Sequence, residues 1–333
     1  MERIRTLTVS DKQEVKKLWK LLFSDSDSFT DWYFENRYRP ETSVCLEKDG
    51  QIVSCVLGSQ MILRIRGKQV PAMMLSGVST RPGFEKRGYM HRVMAAMLKL
   101  CRELGIPLVF DKPVDPAVYR SLGHFPCTFA KYCTTTGSQA SALTDTVDAQ
   151  ALLACYADAT ASYSGCVVRT LSQMQRKIDD CLADNGKFMT VDTNGAIAGY
   201  AMLTPDGAGW ECTEALAINE EVYHALLSCL PAGTRVKVPA DADVEGELQV
   251  QNVMGCANVQ ALLSAVVNDE NIVFAVYDPI MQENCGVFDG TGTPTDRKPN
   301  FHFSAGKLVQ ALSGFHGMLD VMPMKPCYCA DEY

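Results

Sequence analysis

The residues with the clearest chemical potential lie at 78–90, where a strand pattern ends, a turn follows and a helix pattern begins. Thr80 is predicted to end the strand, Gly83 turns the chain, and Gly88 lets the backbone pass close to a ligand. The N–H groups of such a turn and the positive end of the next helix dipole converge on one spot, where a pyrophosphate is stabilised. A plain strand-to-helix turn is the alternative, and the complete ordered context favours the phosphate site. The residues of this stretch predicted to bind a phosphate-containing cofactor are Val78, Ser79, Thr80, Glu85, Lys86, Arg87, Gly88, Tyr89 and Met90.

A second chemical group follows further along the chain, at Tyr119. A tyrosine hydroxyl has an ordinary pKa near 10, so at hydrogen-bond distance it can protonate a departing thiolate as a general acid. The alternative is a core tyrosine in a short amphipathic helix. The spacing from the glycine turn favours the catalytic role.

Hydrophobic periodicity predicts the elements that position these groups. After a helix near the N-terminus, two strand patterns flank Asp49-Gly50, which is a strong hairpin signal. A long helix is predicted over 90–104, directly after the glycine turn, and a short buried strand follows at 108–110. This order of elements is typical of an α/β fold.

The chain divides into three predicted segments, at 1–138, 139–243 and 244–333. The second segment has its own hairpin signal at Asn194-Gly195 and so indicates a degenerate copy of the first. It has no glycine-rich turn, and we expect it to bind no second cofactor. The acidic stretch 241–247 is predicted to be a linker to the third segment, whose pattern is α+β.

Composition narrows the class of protein. The 333 residues are 47% hydrophobic and 21% charged, which is typical of a globular protein. A net charge of −8 argues against a nucleic-acid partner, which would require a basic surface. With no signal peptide and no apolar run of about 18 residues, we expect a cytoplasmic protein without a membrane partner. The 14 cysteines are predicted to be reduced, and no metal-ligand spacing is present.

The segment 78–90 resembles the acyl-CoA signature of the GNAT acetyltransferases, Arg/Gln-x-x-Gly-x-Gly/Ala between a strand and a helix. Gly88 matches this signature, whereas Glu85 and Met90 depart from it. The stretch around Tyr119 resembles the family's Tyr-x-x-x-Gly-aromatic motif, with His124 in the aromatic place. The resemblance implies acetyl-CoA as cosubstrate and a Tyr119 hydroxyl near the thioester sulfur.

The whole chain is similar to the Eis-like (enhanced intracellular survival) acetyltransferases. That resemblance implies an α/β (α+β) chain of tandem GNAT folds, the second degenerate, followed by a sterol-carrier-protein-like domain. It also implies a homo-oligomer, such as a hexamer, and a base formed by the terminal carboxylate of Tyr333. The residues expected to border the acceptor cleft are Asp25, Asp27, Asp31 and Trp32.

The leading hypothesis is direct acetyl transfer from acetyl-CoA to a primary amine of a cationic small molecule, similar to an aminoglycoside. Carboxylates at the cleft would bind such a substrate, and a base is required because only a neutral amine attacks. A polyamine or a peptide lysine is the alternative acceptor. A non-catalytic module that binds acyl-CoA or lipid is the alternative of a different class.

Overall fold

Apolar side chains recur at helical spacing in some stretches and alternate in others, and the computed structural model forms helices and strands there. It describes residues 1–137, 143–315 and 322–331. Its helices are α1 (Lys12–Leu22), α2 (Asp27–Asn36), α3 (Tyr89–Glu103), α4 (Pro116–Arg120), α5 (Ala149–Ala159), α6 (Leu171–Ala183), α7 (Glu220–Cys229), α8 (Val259–Val266) and α9 (Ala305–Ser313). Its strands are β1 (Glu2–Thr6), β2 (Val44–Lys48), β3 (Gln51–Ile65), β4 (Lys68–Thr80), β5 (Leu108–Asp111), β6 (Phe125–Thr134), β7 (Cys166–Val167), β8 (Lys187–Thr193), β9 (Ala196–Asp206), β10 (Gly209–Ala217), β11 (Arg235–Pro239), β12 (Glu247–Cys256), β13 (Val273–Tyr277), β14 (Gly286–Asp289) and β15 (Phe301–Ser304).

Within the described residues, 12 strands form one sheet in the order β1-β2-β3-β4-β5-β12-β6-β11-β10-β9-β8, with β7 beside β3. The predicted hairpin at Asp49-Gly50 is confirmed as β2 and β3, and the predicted long helix is α3. A separate three-stranded sheet, in the order β14-β13-β15, packs with α8 and α9 against part of the main sheet.

The strands β4 and β5 are paired over only a short stretch of this sheet. They run parallel and pair from Ala72 opposite Leu108 to Met74 opposite Phe110. Beyond that point β5 ends, while β4 continues to Thr80. A bulge interrupts the β3–β4 pairing, and Gly77 lies in it with φ +56°. A Cβ atom on Gly77 would stand 2.6 Å from the Trp19 ring, so only glycine fits this bulge.

The second half of the sheet repeats the element order of the first. The hairpin β8–β9 turns at Asn194-Gly195, β10 follows antiparallel to β9, and β11 lies parallel to β10 after α7. The same order is found in β2, β3, β4, α3 and β5. The helix α7 begins at Glu220 only a short step after β10 ends at Ala217. The copy therefore lacks the long glycine-rich turn that precedes α3.

The strand β12 connects the two halves. It lies between β5 and β6 and pairs antiparallel with both, for example Met254 with Phe110 and with Phe125. The sheet is therefore continuous across the predicted boundary at 243/244. The predicted linker 241–247 ends where β12 begins, at Glu247.

Apolar faces of helices cover both sides of the first half. Val93, Met94 and Met97 of α3 pack on Leu75 and Val109 on one face. The helices α1 and α2 cover the other face through a separate cluster around Trp19 and Tyr33. All 14 cysteines lie in the described residues as free thiols. Burial raises the pKa of Cys101 to about 12, which makes its thiol unreactive at neutral pH.

Candidate active site

The turn between β4 and α3 forms a cleft of about 570 Å³. Gly88 stands immediately before α3 with φ +75°, and no side chain caps the first N–H groups of this helix. A Cβ atom built on Gly88 would meet nothing within 4 Å, so the space above the helix end is open. Uncapped N–H groups facing open space suit an anion. All the predicted phosphate-binding residues except Arg87 line this cleft, and Phe84 and His91 line it as well.

The side chains of Glu85 and Arg87 hold the turn itself. The Gly83 N–H donates to Glu85 Oε2 at 2.7 Å, and Arg87 Nη2 donates to the Gly83 carbonyl oxygen at 2.9 Å. The Arg87 guanidinium also lies over the Phe84 ring, 5.2 Å from its centroid. Arg87 does not line this cleft, and its predicted role in binding the cofactor stays a prediction. The Glu85 carboxylate therefore has a structural role, because it accepts a hydrogen bond within the turn.

Tyr89 contributes its backbone rather than its hydroxyl to this end of the helix. Its side chain is buried, and its hydroxyl donates to Glu2 Oε1 at 2.7 Å. Arg92 Nη1 reaches the other Glu2 oxygen at 2.6 Å. These contacts, with the Arg92 bond first, lower the pKa of Glu2 to about 2. The strand β1 is thereby tied to the start of α3.

Changing Gly88 to alanine should weaken acetyl-CoA binding about tenfold. An L-residue with positive φ is strained by about 1–2 kcal/mol, and the new methyl group enters the open space at the helix end. The Kd of acetyl-CoA, measured by calorimetry, tests this. Gly50→Ala is the matched control, since Gly50 has φ +80° and equally open surroundings in a distant hairpin. Equal Kd values for the two variants would contradict a phosphate site at Gly88.

Tyr119 lies in the short helix α4 at the end of β5. Asp115 caps this helix by accepting from the Ala117 N–H at 2.8 Å, and Pro116 begins it. The Tyr119 carbonyl oxygen accepts from the backbone N–H groups of Leu122 and His124, at 3.0 and 3.1 Å. The Asp115 cap before Tyr119 and the hydrogen-bonded turn after it therefore fix the position of this tyrosine.

A buried acid and a buried imidazole stand behind Tyr119. Burial raises the pKa of Tyr119 well above its ordinary range, and the nearby Asp111 carboxylate raises it further. The His124 Nδ1 atom lies 3.4 Å from Asp111 Oδ1, and both side chains are almost completely buried. The hydroxyl therefore keeps its proton at any physiological pH and can act only as an acid. Sequence reasoning assigned no role to Asp111, although its place at the end of β5 was a usable signal.

The structure brings only one of the predicted acceptor residues into a cleft. Asp25 lines a cleft of about 500 Å³, which we call the acidic cleft because Asp180 and Asp184 line it too. Burial raises the pKa of Asp25, whose Oδ2 accepts from the Trp19 indole N–H at 2.7 Å.

The other three predicted acceptor residues have structural partners. Asp27 pairs with Lys20 at 2.5 Å and Asp31 with Lys16 at 2.8 Å, all on the surface between α1 and α2. Trp32 packs beside Phe29 and under the Arg37 guanidinium. Their role in binding the acceptor stays a prediction, and in the structure α1 supplies lysines that pair with Asp27 and Asp31.

A second cleft, of about 290 Å³, lies on the other side of Lys177. It reaches Met74, the last residue of β4 that pairs with β5. We call it the basic cleft. Its charged lining residues are Arg37, Arg39, Arg176, Lys177, Glu41 and Asp331.

The C-terminal segment 327–331 runs between the two clefts. Tyr328, Cys329 and Ala330 are completely buried, Ala330 lines the acidic cleft, and Asp331 lines the basic cleft. The Lys237 ammonium donates to the Ala330 carbonyl oxygen at 3.2 Å. Tyr333, the predicted base, lies outside the described residues.

A buried ion pair anchors this segment. Arg169 donates to both oxygens of Glu214, at 2.7 and 2.6 Å, and its Nη2 atom lies 3.1 Å from Asp331 Oδ2. The Tyr200 hydroxyl and the Lys177 ammonium also contact Glu214. Burial alone would raise the pKa of Glu214. The charge of Arg169 and, after it, the other neighbours outweigh this effect and lower the pKa to about 2. Glu214 holds the Arg169 guanidinium in place, and Arg169 in turn holds Asp331.

Among residues 1–137, 143–315 and 322–331, no three His, Cys, Asp or Glu side chains gather as metal ligands. None of the described helices has both the length and the apolarity needed to cross a bilayer.

Residues 3–126 match the family model of the acetyltransferase (GNAT) domain. No curated protein sequence matches the chain. Among solved structures, a GCN5-related N-acetyltransferase from Anabaena variabilis is similar over 100% of both chains, with 14% identity and a TM-score of 0.81. Eis1 from Mycobacterium abscessus is also similar over 100% of both chains, with 14% identity and a TM-score of 0.78. A tandem GNAT protein from the clavulanic acid biosynthesis pathway aligns with 78% of this chain and 99% of its own, with 14% identity and a TM-score of 0.52.

Proposed function

From the match of residues 3–126 to the family model of the acetyltransferase (GNAT) domain, we propose that the chain transfers acetyl from acetyl-CoA directly to a primary amine. The main support for this proposal is the N-terminal end of α3 at Gly88, which is uncapped and open and therefore suits a pyrophosphate. Bound acetyl-CoA supplies the thioester. The residues that would hold its phosphates line the turn cleft, from Val78 to Met90.

Three groups of the chain would act on the reacting atoms. The amine forms the new C–N bond to the acetyl carbon, and as the C–S bond breaks Tyr119 donates its proton to the departing coenzyme A thiolate, which leaves as the free thiol. A backbone N–H near Val78 or Ser79, next to the β4 bulge, stabilises the developing charge on the carbonyl oxygen. The Tyr333 carboxylate, as the base that takes the proton from the amine, stays a prediction.

The acceptor is proposed to be a cationic small molecule. Asp25, Asp180 and Asp184 in the acidic cleft support this class, since these three carboxylates outnumber the two lysines of its lining, Lys177 and Lys237, and attract ammonium groups. An aminoglycoside-like acceptor stays a prediction, and a polyamine or a peptide lysine remains the alternative. The sterol-carrier-like third domain and the homo-oligomer also stay predictions.

An acceptor screen tests the proposal. Purified protein is mixed with acetyl-CoA and a panel of aminoglycosides, polyamines and lysyl peptides, and release of free thiol is followed. Mass spectrometry then identifies the acetylated amine. Thiol release that depends on one class of amine supports transfer. Acetyl-CoA binding without thiol release from any amine would favour the acyl-CoA-binding module instead.

A further inference from the structure

We infer that the acceptor carries an anionic group, a carboxylate or a phosphate, beside its reactive amine, and that the arginines of the basic cleft bind this anion. The inference rests on the proposed acetyl transfer to a primary amine, and it adds an anionic group to the acceptor proposed there. A molecule with both an amine and an anion is compatible with the acidic cleft, because it presents both charges.

Two arginines of this cleft have no carboxylate partner in the described part of the chain. Arg39 donates only to backbone carbonyl oxygens, those of Tyr38 and Asn36, each at 3.0 Å. Arg176 donates only to the Ser172 hydroxyl, at 2.9 Å. A guanidinium offers five N–H donors, so most of the hydrogen-bonding capacity of these two side chains is unused.

A third arginine is only partly satisfied. Arg37 Nη2 lies 3.5 Å from Asp180 Oδ2, which is a long contact. Its Nη1 atom is buried and makes no hydrogen bond within the described residues. A buried donor without an acceptor is unfavourable, and an anion in the cleft would supply that acceptor.

The three guanidinium groups also repel one another. Burial lowers the pKa of Arg176, and the charges of Arg39 and Arg37 lower it further. The two carboxylates of the cleft do not relieve this repulsion. Asp331 is paired with Arg169, and Glu41 is exposed at the rim with no ion pair among the described residues. The remaining cation, Lys177, lies 3.5 Å from Glu214.

The position of the cleft assigns this charge to the acceptor rather than to coenzyme A. The basic cleft and the turn cleft at Gly88 share no lining residue. The basic cleft instead reaches Met74, where the pairing of β4 with β5 ends. Positive surroundings at that point also lower the pKa of a nearby ammonium group, which favours the neutral amine that attacks.

Matched pairs of amines test the inference. Lysine is compared with 1,5-diaminopentane, which lacks the carboxylate, and glucosamine 6-phosphate is compared with glucosamine. We expect kcat/KM to be at least about tenfold higher for the anionic member of one pair. The pair that responds distinguishes a carboxylate from a phosphate. Equal or lower values for both anionic members would overturn the inference while leaving acetyl transfer intact.

The variants Arg39→Gln and Arg176→Gln identify the responsible side chains. Each should raise KM for the preferred anionic amine about tenfold and leave kcat/KM for its anion-free partner unchanged. Arg3→Gln, an exposed arginine of β1, is the matched control. A raised KM for acetyl-CoA in the cleft variants would instead assign the arginines to the cosubstrate and overturn the inference.

A binding measurement separates this inference from the proposed function. Calorimetry compares the affinity for Nε-acetyl-lysine with that for N-acetyl-1,5-diaminopentane, and the affinity for N-acetylglucosamine 6-phosphate with that for N-acetylglucosamine. This measurement needs no turnover. Tighter binding of one anionic compound, lost in Arg176→Gln, supports an anion site even if every amine in the screen is inert. No difference within either pair, in a protein that does release thiol, defeats the anion site alone.

Discussion

Tyr119→Phe is expected to lower kcat about 100-fold while the Kd of acetyl-CoA stays within about twofold. The hydroxyl is the proton source that the proposed mechanism requires, and its high pKa keeps that proton in place until the thiolate forms. Phenylalanine preserves the ring, which packs against the α3 cluster beside Leu122. The loss should therefore appear in the chemical step, measured by single-turnover thiol release.

Tyr277→Phe is the matched control for this variant. Tyr277 ends β13, is 64% exposed and is assigned no role, so its phenylalanine variant should retain full activity. If Tyr119→Phe kept wild-type turnover across the neutral pH range, another group would have to protonate the coenzyme A thiolate. An equal loss in kcat and in acetyl-CoA affinity would indicate a packing role.

Glu214→Gln is expected to destabilise the protein by about 3–5 kcal/mol. The Arg169 and Glu214 side chains are 1% and 0% exposed, so the substitution leaves a buried guanidinium without its main counter-charge. Urea unfolding followed by fluorescence measures the loss of free energy. The variant is also expected to loosen the C-terminal segment, because Arg169 holds Asp331.

Glu211→Gln is the surface control. Glu211 pairs with Arg235 at 2.6 Å, but these side chains are 34% and 46% exposed, so the loss should be below about 1 kcal/mol. A double variant, Arg169→Met with Glu214→Leu, removes both charges and should recover part of the stability. A Glu214→Gln protein as stable as Glu211→Gln would show that water or movement compensates the buried charge.

Local signals predicted the first half of the fold well. The hairpin at Asp49-Gly50 and the helix α3 depend on neighbours in sequence, and both appear where expected. The turn cleft at Gly88 is also local, since strand, turn and helix follow one another along the chain. Such features are specified within a short window, which a single sequence can reveal.

The charged clefts could not be predicted in the same way. Asp27 and Asp31 look like ligands for a cation until α1 is folded against them with its lysines. Arg39 and Arg176 lie far apart in sequence, and only the packing of α2 against α6 brings them into one cleft. The insertion of β12 between β5 and β6 is similarly long-range.

That insertion has a consequence for how the chain becomes folded during synthesis. Residues up to 134 can form β5 and β6, but the strand that fills the place between them ends only at Cys256. Until it emerges from the ribosome, the hydrogen-bonding edges of both strands stay open, and open edges promote association with other chains. Neither half of the sheet is therefore a self-sufficient folding unit. The sheet of the stretch 3–126, which matches the GNAT domain model, is completed by a strand encoded far beyond it.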